Sequence, residues 1–153
     1  MTPKQIAIVQ SHLHAIKAIG KPFAKVFYAR LFQLAPDLRV LFNCTESNKD
    51  RKLINMLCTT VHSLENMDGL KVVAHNMGQR YSEQGVTERH YDLFIQAMLE
   101  TLEMALGDEF SGDSKAAWVS LLAMLKSTLL EASNYHEIEH TAWGREVPMA
   151  LVG

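Results

Sequence analysis

The chain has 153 residues, of which 48% are hydrophobic and 21% are charged, and its formal net charge is -2. This length supports one well-buried core and is short for two domains. The Lys and Arg residues are scattered, which argues against a surface that binds nucleic acid or an anionic membrane. The sequence contains no long apolar run, which argues against a signal peptide or a transmembrane segment. We therefore expect a cytoplasmic protein.

The first helices are marked by their start and stop signals. The sequence TPKQ at residues 2–5 is a capping-box start with proline at the first helical position, and apolar residues at helical spacing follow as far as Gly20. Pro22 opens a second helix, which Pro36 stops. A short turn then ends in a Leu-Phe pair at Phe42, and a polar loop follows.

The remaining chain predicts four further helices and no strand. Apolar stripes over residues 53–64 and 70–81 predict the third and fourth long helices. Residues 68–69, Asp-Gly, are the only break signal between them. The two stripes could therefore also form one continuous helix. A continuous helix would allow a dimer in which two chains exchange halves. Later stripes over residues 93–106 and 118–129 predict the last two helices, and no run alternates with the period of a strand.

Several short motifs resemble those of the globin family. They are, in order, FYARLF at residues 27–32, a proline followed by Leu-Phe at 41–42, GV at 85–86, HY at 90–91, LG at 106–107 and AW at 117–118. Their joint spacing is similar to bacterial single-domain globins, flavohemoglobin heads and the globin domains of sensors. The resemblance implies an all-α, globin-like fold of six to eight helices over residues 1–133, with residues 134–153 as a tail or linker. It also implies heme b as cofactor and O2, NO or CO as ligand.

The resemblance assigns residues to the distal side of the heme, where a gas binds. Phe42 is implied to pack on the heme face, and Tyr28 to donate a hydrogen bond to the gas. Where relatives carry a distal histidine or glutamine, this sequence has Lys49, with Lys52 one turn later. A neutral lysine amine can ligate iron and be displaced by a gas, and we expect Lys52 rather than Lys49 because it lies further inside the helix. The alternative is that both lysines face water. Further heme contacts are expected from Leu53, Met77, Val86 and Phe94.

The proximal side departs from the family pattern. Tyr81 takes the position of the iron-binding histidine, counted back from the GV motif at residues 85–86. A tyrosinate can hold ferric heme and favours the oxidised metal. His75 is the nearest histidine, but it lies on the opposite stripe with Lys71 and would face solvent unless the third and fourth helices are continuous. The alternative iron ligands are therefore His75, Tyr81 and Lys52.

Three functions are compatible with these residues. The leading interpretation is a homodimeric heme globin that binds a diatomic gas and acts in sensing, with Lys52 as the switch and a signalling domain as a further partner. The apolar residues of the segment 134–153, such as Trp143, have no evident core partner and favour that role. The first alternative is heme-dependent turnover of NO or peroxide, aided by Tyr28. The second is a heme-free interaction module in which Tyr81 fills the pocket.

Overall fold

The structure, a computed structural model, describes the backbone of residues 1–41 and 46–142 and the side chains of residues 1–40 and 49–132. Over these residues it contains seven α-helices and two 3₁₀ turns and no strand, which confirms the predicted all-α class. The helices are α1 (Pro3–Ile19), α2 (Lys21–Leu34), α3 (Pro36–Leu41), α4 (Glu46–His62), α5 (Met67–Glu83), α6 (Glu88–Leu106) and α7 (Gly112–Ala142). In this part of the chain, none of the helices has both the length and the apolar character needed to span a bilayer.

The first helix begins and ends where its local signals predict. The Gln5 amide donates to Thr2 Oγ1 at 3.1 Å, and the Thr2 amide donates to Gln5 Oε1 at 3.0 Å, which completes the capping box. At the other end Gly20 has φ +67°, a conformation that side chains rarely adopt, and its amide donates to the Ile16 carbonyl at 2.9 Å. The chain can therefore turn directly into α2.

The third and fourth long helices are separate in the structure of the single chain, which does not support the alternative of one continuous helix. α4 ends at His62, a 3₁₀ turn covers Ser63–Glu65, and Asn66 leaves the helical conformation with φ -133° and ψ 86°. The Asn66 side chain then accepts the Gly69 amide at 3.2 Å and caps α5. The break thus precedes the expected Asp-Gly signal, because Asn66 ends the 3₁₀ turn and caps the start of α5. The exchanged dimer stays a prediction.

Two clusters of buried residues form the core. The larger cluster joins α1, α2, α4, α6 and α7 around Phe27 and Trp118, both fully buried. Trp118 Nε1 donates to His12 Nδ1 at 3.0 Å and so ties α7 to α1. The smaller cluster consists of Ala74, Tyr91, Leu125 and Leu129 and joins α5 and α6 to α7.

The close approach of α5 to α7 depends on Gly78. A Cβ atom at this position would lie 2.6 Å from the Leu129 carbonyl oxygen and 2.9 Å from the Ala132 Cβ. The backbone of α7 continues without a break through the predicted domain boundary at residue 134 and reaches Ala142. Residues 143–153, which include Trp143, lie outside the described residues, so the division into domain and tail stays a prediction.

Candidate functional site

The candidate site lies where the two core clusters meet, between α4 and the end of α5. α4 packs on α1 and α2, whereas α5 packs on α7, so these two helices diverge from the 3₁₀ turn that joins them. Met56 of α4 and Val86, just after α5, contact both clusters. We call Met56 and Val86 the junction. Tyr28 packs against the larger cluster, and Tyr81 packs against the smaller one.

On the distal side, Tyr28 and Lys49 are in direct contact. The Tyr28 hydroxyl donates to the backbone carbonyl of Lys49 at 3.3 Å. The Lys49 Nζ lies 4.8 Å from the centre of the Tyr28 ring and 5.2 Å from the centre of the Phe32 ring, and these two rings stack at 5.7 Å. A cation at this distance from an aromatic face is attracted by the negative face of the ring. The half-buried Lys49 amine is therefore held against an aromatic pair.

The preference for Lys52 over Lys49 is not supported by the geometry. Lys52 is exposed, whereas Lys49 is half-buried and Leu53, one turn after Lys49, is only 2% exposed. Residues four apart share a helix face, while residues one apart point about 100° away from each other. The face of α4 that carries Leu53 into the core therefore carries Lys49 inward and directs Lys52 to solvent.

The other implied heme contacts are divided between the two clusters. Phe94 of α6 is half-buried and meets Phe27 edge to face at 4.9 Å between ring centres, against the larger cluster. Met77, Tyr81 and Val86 pack against the smaller cluster, and Val86 also reaches the larger one. Phe42 lies outside the described residues.

On the proximal side, Tyr81 has a half-buried side chain and a firmly held backbone. Its ring packs against the smaller cluster, as the apolar stripe of α5 predicts. Its carbonyl accepts the amides of Gln84 and Val86 at 3.1 and 3.0 Å. These bonds fix the turn that ends α5, so the position of Tyr81 is coupled to that of Val86 at the junction.

His75 is half-buried rather than solvent-facing as expected. The expectation placed it on a solvent-facing stripe with Lys71, but Gly78, on the same stripe, is buried against α7. A glycine has no side chain to keep a neighbouring helix away, so a stripe that reads as polar becomes a packing surface. His75 therefore lies one turn before the contact with α7, on a different part of α5 from Tyr81.

The donors of this region fit a heme better than a bare metal ion. Among the described residues there is no group of three His, Cys, Asp or Glu side chains that could hold a metal. A heme needs apolar surroundings and one axial protein donor. Met56 and Val86 are apolar side chains that contact both clusters, and Leu53 is buried in the larger one. Tyr81 carries an oxygen beside the smaller cluster, and Lys49 carries a nitrogen over the Tyr28 and Phe32 rings that could bind iron only after its ammonium group loses a proton.

Two residues of the site were not predicted. Phe32 is the second ring under the Lys49 amine, and Met56 is the α4 half of the junction. Phe32 lies four residues after Tyr28, so helical spacing alone could have found it. Met56 could not be found in this way, because its role depends on where α5 and α6 lie.

Comparison with known proteins agrees with this architecture. A family model described as Globin matches residues 25–129. The chain is 24% identical to a flavohemoprotein of Bacillus subtilis over 146 residues, which are 92% of this chain and 37% of that protein. It is 22% identical to a flavohemoprotein of Vibrio cholerae over 134 residues, 86% of this chain and 34% of that protein. It is 27% identical to a leghemoglobin of Psophocarpus tetragonolobus over 141 residues, 86% of this chain and 97% of that protein.

The chain thus spans about a third of the length of the flavohemoproteins that it matches and nearly all of the leghemoglobin. The family match runs from α2 to α7, and so includes the Tyr28–Lys49 contact, the junction and Tyr81. It also covers more than half of the sequence. The chain therefore belongs to the globin family, and this membership implies a heme cofactor and a diatomic gas as ligand.

Proposed function

We propose that this globin holds heme b at the junction and acts in gas sensing or signalling, with Lys49 as the displaceable endogenous group. The observation that carries the proposal is the half-buried Lys49 amine, held beside the Tyr28 phenol on the distal side while Tyr81 lies beside the smaller cluster. A homodimer and a downstream signalling domain are further parts of the proposal.

When bound, heme supplies the iron that takes the gas. The protein contributes an axial donor, for which Tyr81 is our first choice and His75 the alternative. Tyr81 is favoured because its ring lies against the apolar cluster next to the junction and its carbonyl is fixed by Gln84 and Val86. An anionic phenolate favours the ferric state, so we expect a poor reversible oxygen carrier.

The Tyr28 hydroxyl supports a role in signalling because it already has an acceptor. It donates to the Lys49 carbonyl, in the first turn of α4. A gas that accepts this hydrogen bond would compete with that carbonyl, and it would also take the place of the Lys49 amine. Both events act on the start of α4, so ligand binding can be converted into a movement of that helix.

The first experiment is a titration of the full chain with hemin, followed by absorption spectra of the ferric and ferrous protein. We expect one heme per chain and a six-coordinate, low-spin form without added ligand. Lys49→Ala should convert this form to a five-coordinate or water-bound one. Lys52→Ala is the matched control and should leave the spectrum unchanged, since Lys52 is exposed. An unchanged spectrum in Lys49→Ala would reject the lysine switch while leaving heme binding intact.

The axial donor is tested by Tyr81→Phe, which keeps the ring and removes only the hydroxyl. If Tyr81 binds the iron, the phenolate-to-iron charge-transfer band of the ferric protein disappears in this variant and persists in His75→Ala. A wild-type spectrum without this band that is altered by His75→Ala and unchanged by Tyr81→Phe would assign the iron to His75. A colourless wild-type protein that takes up no hemin would contradict the proposal and favour the heme-free interaction module.

A further inference from the structure

A buried histidine joins the start of α6 to α3 through both of its ring nitrogens. The Thr87 amide donates to His90 Nδ1 at 2.9 Å, and His90 Nε2 lies 2.5 Å from Asp37 Oδ2. A backbone amide can only donate, so Nδ1 carries no proton and Nε2–H donates to the carboxylate. The His90 ring is therefore held at both of its nitrogens, with 6% of its side chain exposed.

This hydrogen-bonded link begins next to Tyr81. The Val86 amide donates to the Tyr81 carbonyl, and the following residue, Thr87, donates to His90. The link therefore runs from the end of α5 through residues 86–87 to His90 and then to Asp37 on α3. It connects the proximal side of the site to the helix that precedes the distal segment.

The α3 end of the link is held by charge. Asp37 also accepts from Arg89 Nη2 at 3.2 Å, on the same carboxylate oxygen that His90 contacts. The hydrogen bond from His90 is the main cause that lowers the pKa of Asp37, and the Arg89 charge adds to it. The carboxylate thus stays an ionised acceptor, and a hydrogen bond to a charged acceptor is stronger than one between neutral groups.

We propose that His90 is a positioning residue that couples the α5–α6 corner, and with it Tyr81, to α3. A planar ring that uses both nitrogens cannot rotate without losing a partner, so a displacement of the corner is passed on to Asp37. The part of the proposal that concerns iron rests on the proposed function, whereas the coupling of the two segments does not. Proof of coupling requires that a change at one end be felt at the other.

The link can be cut without removing the helix cap. In His90→Gln, the glutamine stands at the third helical position, where it can reach back to the Thr87 amide as in a capping box. It cannot reach Asp37 at the same time. Asp37→Ala cuts the link from the α3 side. Arg89→Gln is the matched control, since it removes the exposed partner of Asp37 and leaves His90 in place.

The decisive measurement is amide hydrogen exchange on the heme-free protein. Asp37→Ala should accelerate exchange at residues 84–87, and His90→Gln should accelerate it at residues 37–41, each by about tenfold. The double variant should add no further acceleration, and Arg89→Gln should change neither segment by as much. The coupling is overturned if each substitution loosens only its own segment, or if the two effects add in the double variant.

The same variants loaded with hemin test the consequence for the iron. If Tyr81 is the ligand, His90→Gln should shift the phenolate-to-iron band and the midpoint reduction potential, and Asp37→Ala should shift each quantity in the same direction as His90→Gln does. The double variant should show no larger shift than either single variant. Coupled exchange in a protein that takes up no hemin would retain the link and reject the proposed function. Hemin uptake with unshifted spectra would retain the proposed function and reject positioning of the iron ligand.

Discussion

Replacement of Gly78 by alanine has two opposing effects on the free energy of unfolding. An alanine inside a helix is favoured over glycine by about 1 kcal/mol. The added Cβ, however, would lie 2.6 Å from the Leu129 carbonyl oxygen, about 0.8 Å short of the 3.4 Å at which ordinary contact begins. It would also lie 2.9 Å from the Ala132 Cβ, and neither atom belongs to a flexible side chain.

Because both neighbours are rigid parts of α7, α5 itself must move away. Overpacking of this kind costs typically about 1–3 kcal/mol in addition to the lost contacts, which outweighs the gain in helix propensity. We expect the free energy of unfolding to fall by about 1–2 kcal/mol. In a domain of this size that corresponds to a decrease in Tm of roughly 2–8 °C. Tyr81 follows Gly78 by three residues, so its environment should change as well.

Thermal unfolding followed by circular dichroism, with urea unfolding alongside, measures the effect. Gly69→Ala is the control on the same helix, since its added Cβ meets the Asn66 side-chain amide at 3.1 Å and that group can rotate. We expect a smaller loss there, limited to a weakened cap. A Gly78→Ala protein with a higher Tm than the wild type would refute the reasoning, because it would mean that α7 yields and helix propensity decides.

Three further predictions concern contacts between helices. Trp118→Phe removes the donor to His12 Nδ1 and leaves a buried acceptor, which should lower the free energy of unfolding by about 1–3 kcal/mol in urea unfolding, and an unchanged value would contradict the role of this bond. Burial lowers the pKa of His12 while the Glu109 charge partly opposes this. His12 is therefore protonated more readily in the unfolded chain than in the native state. The free energy of unfolding of the wild type should fall as the pH drops below about 6.5, and His12→Gln should reduce this fall. Arg30→Met breaks the two hydrogen bonds to Glu100. Because both groups are partly exposed, the decrease in Tm should be smaller than in Gly78→Ala and should become smaller still in high salt.

The bounds of the first helices could be predicted because their causes are local. The capping box at residues 2–5, the glycine at residue 20 and the proline at residue 36 each act on backbone groups three or four positions away. Any chain with these residues has the same local reasons to start and stop a helix. The all-α class follows from the apolar period in the same way, without knowledge of which helix packs on which.

The break at Asn66 is a feature that the local sequence pattern did not predict. An Asp-Gly pair two residues later was the stronger turn signal, yet the asparagine side chain caps α5 and leaves that glycine inside the helix. Asparagine is an ordinary polar residue until its side chain accepts an amide, so its place in the sequence did not mark it as the cap. The position of the break depends on how α4 and α5 pack on their different neighbours.

The sequence by itself determined the helical class and the family resemblance, which predicts that Tyr81 takes the position of the iron-binding histidine. Only the tertiary structure decided that Lys49 rather than Lys52 lies beside Tyr28, and that His90 bridges α3 and the α5–α6 corner. The physical reason is the range of the interactions. Caps and apolar periods act within one or two helical turns, whereas the partners of Lys49 and His90 come from residues 21 and 53 positions away.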